Sequence, residues 1–192
     1  TQAYENYKKS ICLKPDYSDA HNNLGILLQS LCRLEEAKIC FENVILLEPK
    51  NFRALNNLGV VQKDLGHTLE AEKILKKAIL TNPNYFDAYN NLGVIQHQLG
   101  NFEEAKSNLK KAISLNDKFE DAYCNLAMLY NHQGKSNKAK INYTKAIKLN
   151  PKNSTTKHML NALNNKTTKT APLSYIENLF DDYANNFDVS LL

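Results

Sequence analysis

The 192-residue chain has 43% hydrophobic residues, no tryptophan, few glycines and prolines, and a formal net charge of +4. That balance fits an ordinary folded protein and excludes a disordered, collagen-like or tryptophan-centred β-sandwich chain. No apolar run approaches the roughly 18 residues that cross a bilayer, and Thr1-Gln2-Ala3-Tyr4-Glu5 is amphipathic rather than a basic-then-apolar leader, so a cytoplasmic location is expected.

The elements follow a 34-residue period. Asn-Asn-Leu-Gly stands at 22–25, 56–59 and 90–93 and returns as Cys124-Asn125-Leu126-Ala127. A fixed period of this length marks stacked helical hairpins. In chain order the expected units are a half repeat at 1–17, which supplies only a second helix, and full repeats at 18–51, 52–85, 86–119 and 120–153. A capping helix at 154–165, a polar linker at 166–173 and a tail helix at 174–192 follow. The missing first helix and initiator methionine lead to the expectation of a piece of a longer array.

Within each repeat, numbered 1 to 34, position 7 is Leu24, Leu58, Leu92 and Leu126, and position 8 is Gly25, Gly59, Gly93 and Ala127. Position 20 is always alanine: Ala37, Ala71, Ala105 and Ala139. Glycine in a helix costs roughly 0.5–1 kcal/mol relative to alanine, so its return at position 8 argues for close approach, small position 8 facing small position 20. Positions 4, 7, 8 and 11 form one stripe of the first helix, and 20, 24 and 27 a stripe of the second. Gly66, Gly100 and Gly134 at position 15 end the first helices. Prolines 49, 83 and 151 at position 32 end the second helices. Lys157, Asn161 and Asn164 place polar residues on the outward stripe of the capping helix.

This pattern resembles the tetratricopeptide repeat over residues 1–153. Position 4 departs from it at His21 and Leu55. The resemblance implies an all-α, right-handed α-solenoid whose first helices line a concave groove that binds protein or peptide segments.

The candidate binding residues lie on that groove. Position 5 is Asn22, Asn56, Asn90 and Cys124; position 6 is Asn23, Asn57, Asn91 and Asn125. These columns lie about 200° around the helix from the position-4 stripe. An amide donates and accepts at once, so evenly spaced copies suit the backbone of an extended peptide. The ladder is similar to that of the O-GlcNAc transferase superhelix. Ile26, Val60, Val94 and Met128 at position 9 add an apolar seam. Arg53, Lys63 and His97 are further groove residues. With Arg53 and Lys63 the only basic residues there, the clamp of chaperone-binding repeats is not expected.

Catalytic chemistry is not expected in this chain: it has no His-Glu-x-x-His, nucleophile elbow, phosphate loop or dinucleotide fingerprint. No cofactor or metal is expected either, His97 and His132 lacking a third ligand at metal-site spacing. Cysteines 12, 32, 40 and 124 form no Cys-x-x-Cys pair and read as reduced, buried or half-buried helix residues.

Charge is segregated at the end. Residues 135–169 hold nine lysines and no acid; residues 171–192 hold Glu177, Asp181, Asp182 and Asp188 and no base. The lysine block lies mainly on a second helix and reads as a solvated convex surface, with no nucleic acid or membrane partner expected. Ser174 and Glu177 have capping-box spacing, and Ile176, Leu179, Phe180, Tyr183 and Phe187 form an apolar stripe. That stripe is expected to pack on the last repeat and capping helix, or on a second copy. Ala171-Pro172, Tyr175-Ile176, Leu179-Phe180-Asp181, Tyr183-Ala184 and Phe187-Asp188 resemble the opening of the catalytic domain of bacterial tetratricopeptide-containing S-adenosylmethionine-dependent methyltransferases. The resemblance implies a substrate- or partner-recruiting array in a larger methyltransferase. The alternatives are a freestanding assembly scaffold and the recognition arm of a glycosyltransferase.

Overall fold

The computed structural model describes residues 2–166, 171–173 and 175–176. They contain ten helices: α1 (Gln2–Leu13), α2 (Ser18–Ser30), α3 (Leu34–Leu47), α4 (Phe52–Asp64), α5 (Thr68–Thr81), α6 (Phe86–Gln98), α7 (Phe102–Leu115), α8 (Glu120–His132), α9 (Ser136–Leu149) and α10 (Ser154–Leu163). There is no strand among the described residues, so the chain is an all-α helical repeat array. It divides into two compact units, residues 1–108 and 109–192, with the boundary inside α7. The expected tail helix, apart from Tyr175 and Ile176, lies outside the described residues.

In the first unit α2 packs on α3 and α4 on α5. Their shared core has Leu24, Leu28, Phe41, Leu58 and Val61 at its centre, with Tyr4, Tyr7 and Ile11 of α1 packed against it. The reason for the position-8 glycines differs from the expected one. A Cβ on Gly25 would lie 2.8 Å from the Phe41 ring, and one on Gly59 would lie 2.7 Å from Leu75. Position 8 therefore receives the large side chain of position 24. Position 20 is secondary: the nearest Ala71 atom to Gly59 is its carbonyl oxygen, at 3.6 Å.

The hairpin turns share one hydrogen-bond pattern. The Gly66 N–H donates to the Lys63 carbonyl and the His67 N–H to the Gln62 carbonyl, both at 2.9 Å. This 5→2 and 6→1 pair closes a helix on a left-handed residue. Gly66, Gly100 and Gly134 have φ of 83°, 78° and 69°. The first repeat builds the same turn without glycine. Cys32 occupies position 15 at φ 56°, with Cys32 N–H donating to Gln29 and Arg33 N–H to Leu28. Contrary to the sequence reading, Cys32 is an exposed turn residue, and Cys12 is exposed as well. Cys40 is buried and Cys124 half-buried.

In the second unit α8 packs on α9, and α10 on α9. Ala122, Leu126, Ala127 and Leu129 are buried with Ala139, Tyr143 and Ala146. Asn153 caps α10, its Oδ1 accepting from the Thr156 N–H at 2.9 Å. Lys157 of α10 and Asn164 at its C-cap are exposed, and Asn161 is half-buried.

Candidate functional site

The asparagine columns lie on the first helices, but the two positions differ. Asn56 and Asn90 at position 5 are only 5% and 6% exposed. Asn22, Asn57, Asn91 and Asn125 are half-buried, and Asn23 is exposed. The sequence reading places both columns open to the groove; the structure buries Asn56 and Asn90 of position 5 and half-buries Asn22. Asn91 Nδ2 donates to Asn56 Oδ1 at 2.9 Å, and Asn57 Nδ2 to Asn22 Oδ1 at 3.4 Å.

Two further contacts join these pairs. Asn90 Nδ2 faces Asn91 Oδ1 at 3.4 Å, and Asn56 Nδ2 faces Asn57 Oδ1 at 3.5 Å. Five amides thus run head to tail, from Asn90 through Asn91, Asn56 and Asn57 to Asn22. The 2.9 Å contact is the strong one; the others are at the long end for N–H···O. An asparagine amide has two N–H donors and two acceptor lone pairs. Asn57 and Asn91 each use one donor and one acceptor in this chain. The network therefore orients their amides while, among the described residues, one N–H and one lone pair of each stay unused.

The other candidate residues differ in exposure. Ile26 and Met128 are 47% and 46% exposed, whereas Val60 and Val94 are half-buried. Arg53 is exposed, its guanidinium 5.5 Å from the Phe52 ring centroid. Lys63 pairs with Asp64 at 2.8 Å, so its charge is compensated locally. His97 is half-buried, with its ring 5.9 Å from Phe102. No group of three potential metal ligands occurs among the described residues.

The sequence reading assigns position 11 to the packing stripe without a polar role. Gln96, 4% exposed, accepts from Asn108 Nδ2 at 2.6 Å and donates to Glu72 Oε1 at 3.3 Å. Glu72 also pairs with Lys76 at 2.7 Å, which holds its carboxyl below the usual range. Gln62 Oε1 meets His67 Nδ1 at 2.8 Å. A glutamine inside an otherwise apolar stripe was the available signal, since a buried amide needs partners. In the second unit Cys124 Sγ lies 3.0 Å from Thr156 Oγ1. Burial pushes the Cys124 thiol up to about 12, which makes it an inert packing group rather than a nucleophile.

Comparison with known proteins agrees with this architecture. The tetratricopeptide repeat family matches residues 18–51, 52–85, and 86–119 and 120–153. No curated protein matches the chain. A thermophilic tetratricopeptide protein of Thermus thermophilus superposes with TM-score 0.73 at 20% identity, over 83% of this chain and 88% of that one. MamA superposes at 0.66 with 24% identity, over 78% and 87%. YrrB, described as a tetratricopeptide protein with an unusual peptide-binding site, superposes at 0.63 with 19% identity, over 98% and 100%. At these identities the likeness is one of fold. None of these matches bears on the methyltransferase or O-GlcNAc transferase resemblance. With four consecutive family matches spanning residues 18–153, the chain belongs to the tetratricopeptide repeat family.

Proposed function

We propose that this chain is a protein-interaction module that grips an extended polypeptide along the face of its first helices, through the amides of Asn57 and Asn91. Asn23 extends the same column, and Asn125 holds the matching repeat position in the second unit. The observation that carries this reading is the head-to-tail amide row. It fixes two side chains in orientation and leaves each with an unused donor and acceptor, the pair of groups that one peptide unit offers in return. Orientation before binding reduces the entropy lost on association. Ile26, Val60 and Val94 alongside would take apolar side chains of the ligand. Because the amides meet backbone groups, the reading is of broad rather than sharp side-chain selectivity.

The test is selection of binders from a random peptide library with the full chain, followed by titration of the best binder against Asn57→Ala and Asn57→Ala with Asn91→Ala. A net hydrogen bond is worth about 0.5–1.5 kcal/mol, so the double substitution is expected to weaken binding by roughly 1–3 kcal/mol. Unchanged affinity in a folded double variant overturns the reading. The finer reading, recruitment of substrates to a methyltransferase domain, rests on the resemblance of residues 171–188 alone. Methyl transfer by a natural protein containing this array, to a partner captured by the array, is its test.

A further inference from the structure

The second helices of the repeats differ sharply in charge. α3 begins with Glu35 and Glu36, α5 carries Glu70 and α7 carries Glu103 and Glu104 in the first turn; α9 has no acid there. Lys38 pairs with Glu35 at 3.8 Å, Lys73 with Glu70 at 3.3 Å, and Lys106 with Glu103. On α9 the matching partners are gone. Lys138, Ile141, Lys145 and Lys148 instead form an exposed stripe opposite the buried Ala139, Tyr143 and Ala146, with Ile141 69% exposed. Among the described residues none of these three lysines joins an ion pair. Lys138 and Lys145 lie over the Tyr130 and Tyr123 rings at 5.6 and 5.9 Å.

This arrangement is unfavourable for the helix alone. Lysine near a helix N-terminus opposes the positive end of the dipole, and like charges one to two turns apart repel. An anionic partner relieves both. The chain carries one close by: residues 171–192 hold four acids and no base. The start of that segment is already seated on the same unit. The Tyr175 ring lies 4.7 Å from the His158 ring of α10, and Ala171, Pro172, Tyr175 and Ile176 are half-buried. α10 in turn packs on α9. Asp181 is five residues beyond Ile176, a reach of at most about 18 Å. So short a tether sets an effective concentration on the order of millimolar, which a free acidic partner must exceed.

We propose that the lysine stripe of α9 is the docking surface of the chain's own acidic segment, with Glu177, Asp181 and Asp182 meeting Lys138, Lys145 and Lys148 around the exposed Ile141. The surface is then self-occupied, and an outside polyanion binds it only by displacing the segment.

Zero-length carbodiimide coupling joins a lysine to a carboxylate only when they are in contact. The experiment couples an equimolar mixture of ordinary and ¹⁵N-labelled full chain and maps the products by mass spectrometry. Isotopically pure links from the stripe lysines to Glu177, Asp181 or Asp182 are expected. Their yield should fall several-fold between 0.1 and 1 M salt, where the Debye length shrinks from about 10 to about 3 Å. The Asp181→Lys and Asp182→Lys pair should raise proteolysis of the segment, and adding Lys138→Glu and Lys145→Glu should reverse that. Absence of these links, or links found only between chains, overturns the proposal. So does coupling to Lys110 and Lys111 as efficient as coupling to the stripe.

Discussion

The same repeat frame carries two different surfaces in the two units. In residues 1–108 the second helices pair lysines with glutamates, and the first helices carry the amide row from Asn90 to Asn22. In the second unit the second helix is lysine-rich, with no ion pair at Lys138, Lys145 or Lys148 among the described residues, and cysteine replaces asparagine at position 5. The core contacts differ as well. The position 8 and 24 pairs are Gly25 with Phe41 and Gly59 with Leu75 in the first unit; the corresponding residues in the second are Ala127 and Tyr143. A handful of interior positions therefore specifies the hairpin, while surface positions differ between the units.

The largest expected effect tests the interior half of that contrast. Gly59→Leu puts side-chain atoms where a Cβ is already 2.7 Å from Leu75 and should destabilise the chain by about 1–3 kcal/mol in urea unfolding. Ala127→Gly, at the same position of the other unit, should cost about 0.5–1 kcal/mol. Equal costs would erase the distinction between the two packings.

Next comes the amide row. Asn91→Ala removes the 2.9 Å partner of the buried Asn56, leaving an unsatisfied carbonyl that costs about 1–3 kcal/mol. Asn57→Ala removes two longer contacts, 3.4 Å to the half-buried Asn22 and 3.5 Å from the Asn56 amide, and should cost about 0.5 kcal/mol. If denaturation midpoints shift equally, position 5 is not a strut. Asn91 thus mixes folding with binding, so the Asn57 substitution is the cleaner probe of a ligand.

A smaller gain is expected at the odd turn. Cys32 holds a left-handed φ of 56° where the other repeats have glycine. Relief of a side chain from that region, roughly 1–2 kcal/mol, is partly offset by the greater backbone freedom of glycine. Cys32→Gly should raise stability by about 0.5–1 kcal/mol in the same titration. Alkylation of the native chain near pH 8 should mark Cys12 and Cys32 first. Cys40 and Cys124 should resist, since burial pushes their thiols up to about 11 and about 12. Those raised values also set a sign. Both groups stay protonated when folded, so their contribution is full below the ordinary thiol range and declines as pH rises toward 11–12.

The smallest effect is at Tyr143. Its side chain is 1% exposed and its hydroxyl has no partner among the described residues. Burial pushes its pKa well above the usual tyrosine range. Tyr143→Phe, which makes position 24 resemble Phe41, should be neutral or stabilising by up to about 1 kcal/mol. A clear loss of stability would mean that the hydroxyl is satisfied after all.

What the sequence alone determined was the hairpin frame. The 34-residue spacing, the alanines at position 20, the apolar stripes and the turn glycines are each a local demand on one helix or one turn, and such demands repeat visibly. Tertiary structure decided what a side chain meets from a neighbouring helix. It gave position 8 to the Phe41 and Leu75 side chains, buried Asn56 beneath Asn91, joined five amides into a row, and tied Gln96 to Glu72 and Asn108. It also seated Cys32 in a turn where glycine was the sequence's own rule. Position 5 and position 6 carry the same residue, one after the other, and nothing local separates them. Only the next helix, laid across one column and not the other, makes Asn56 a strut and leaves Asn57 a donor and an acceptor to offer.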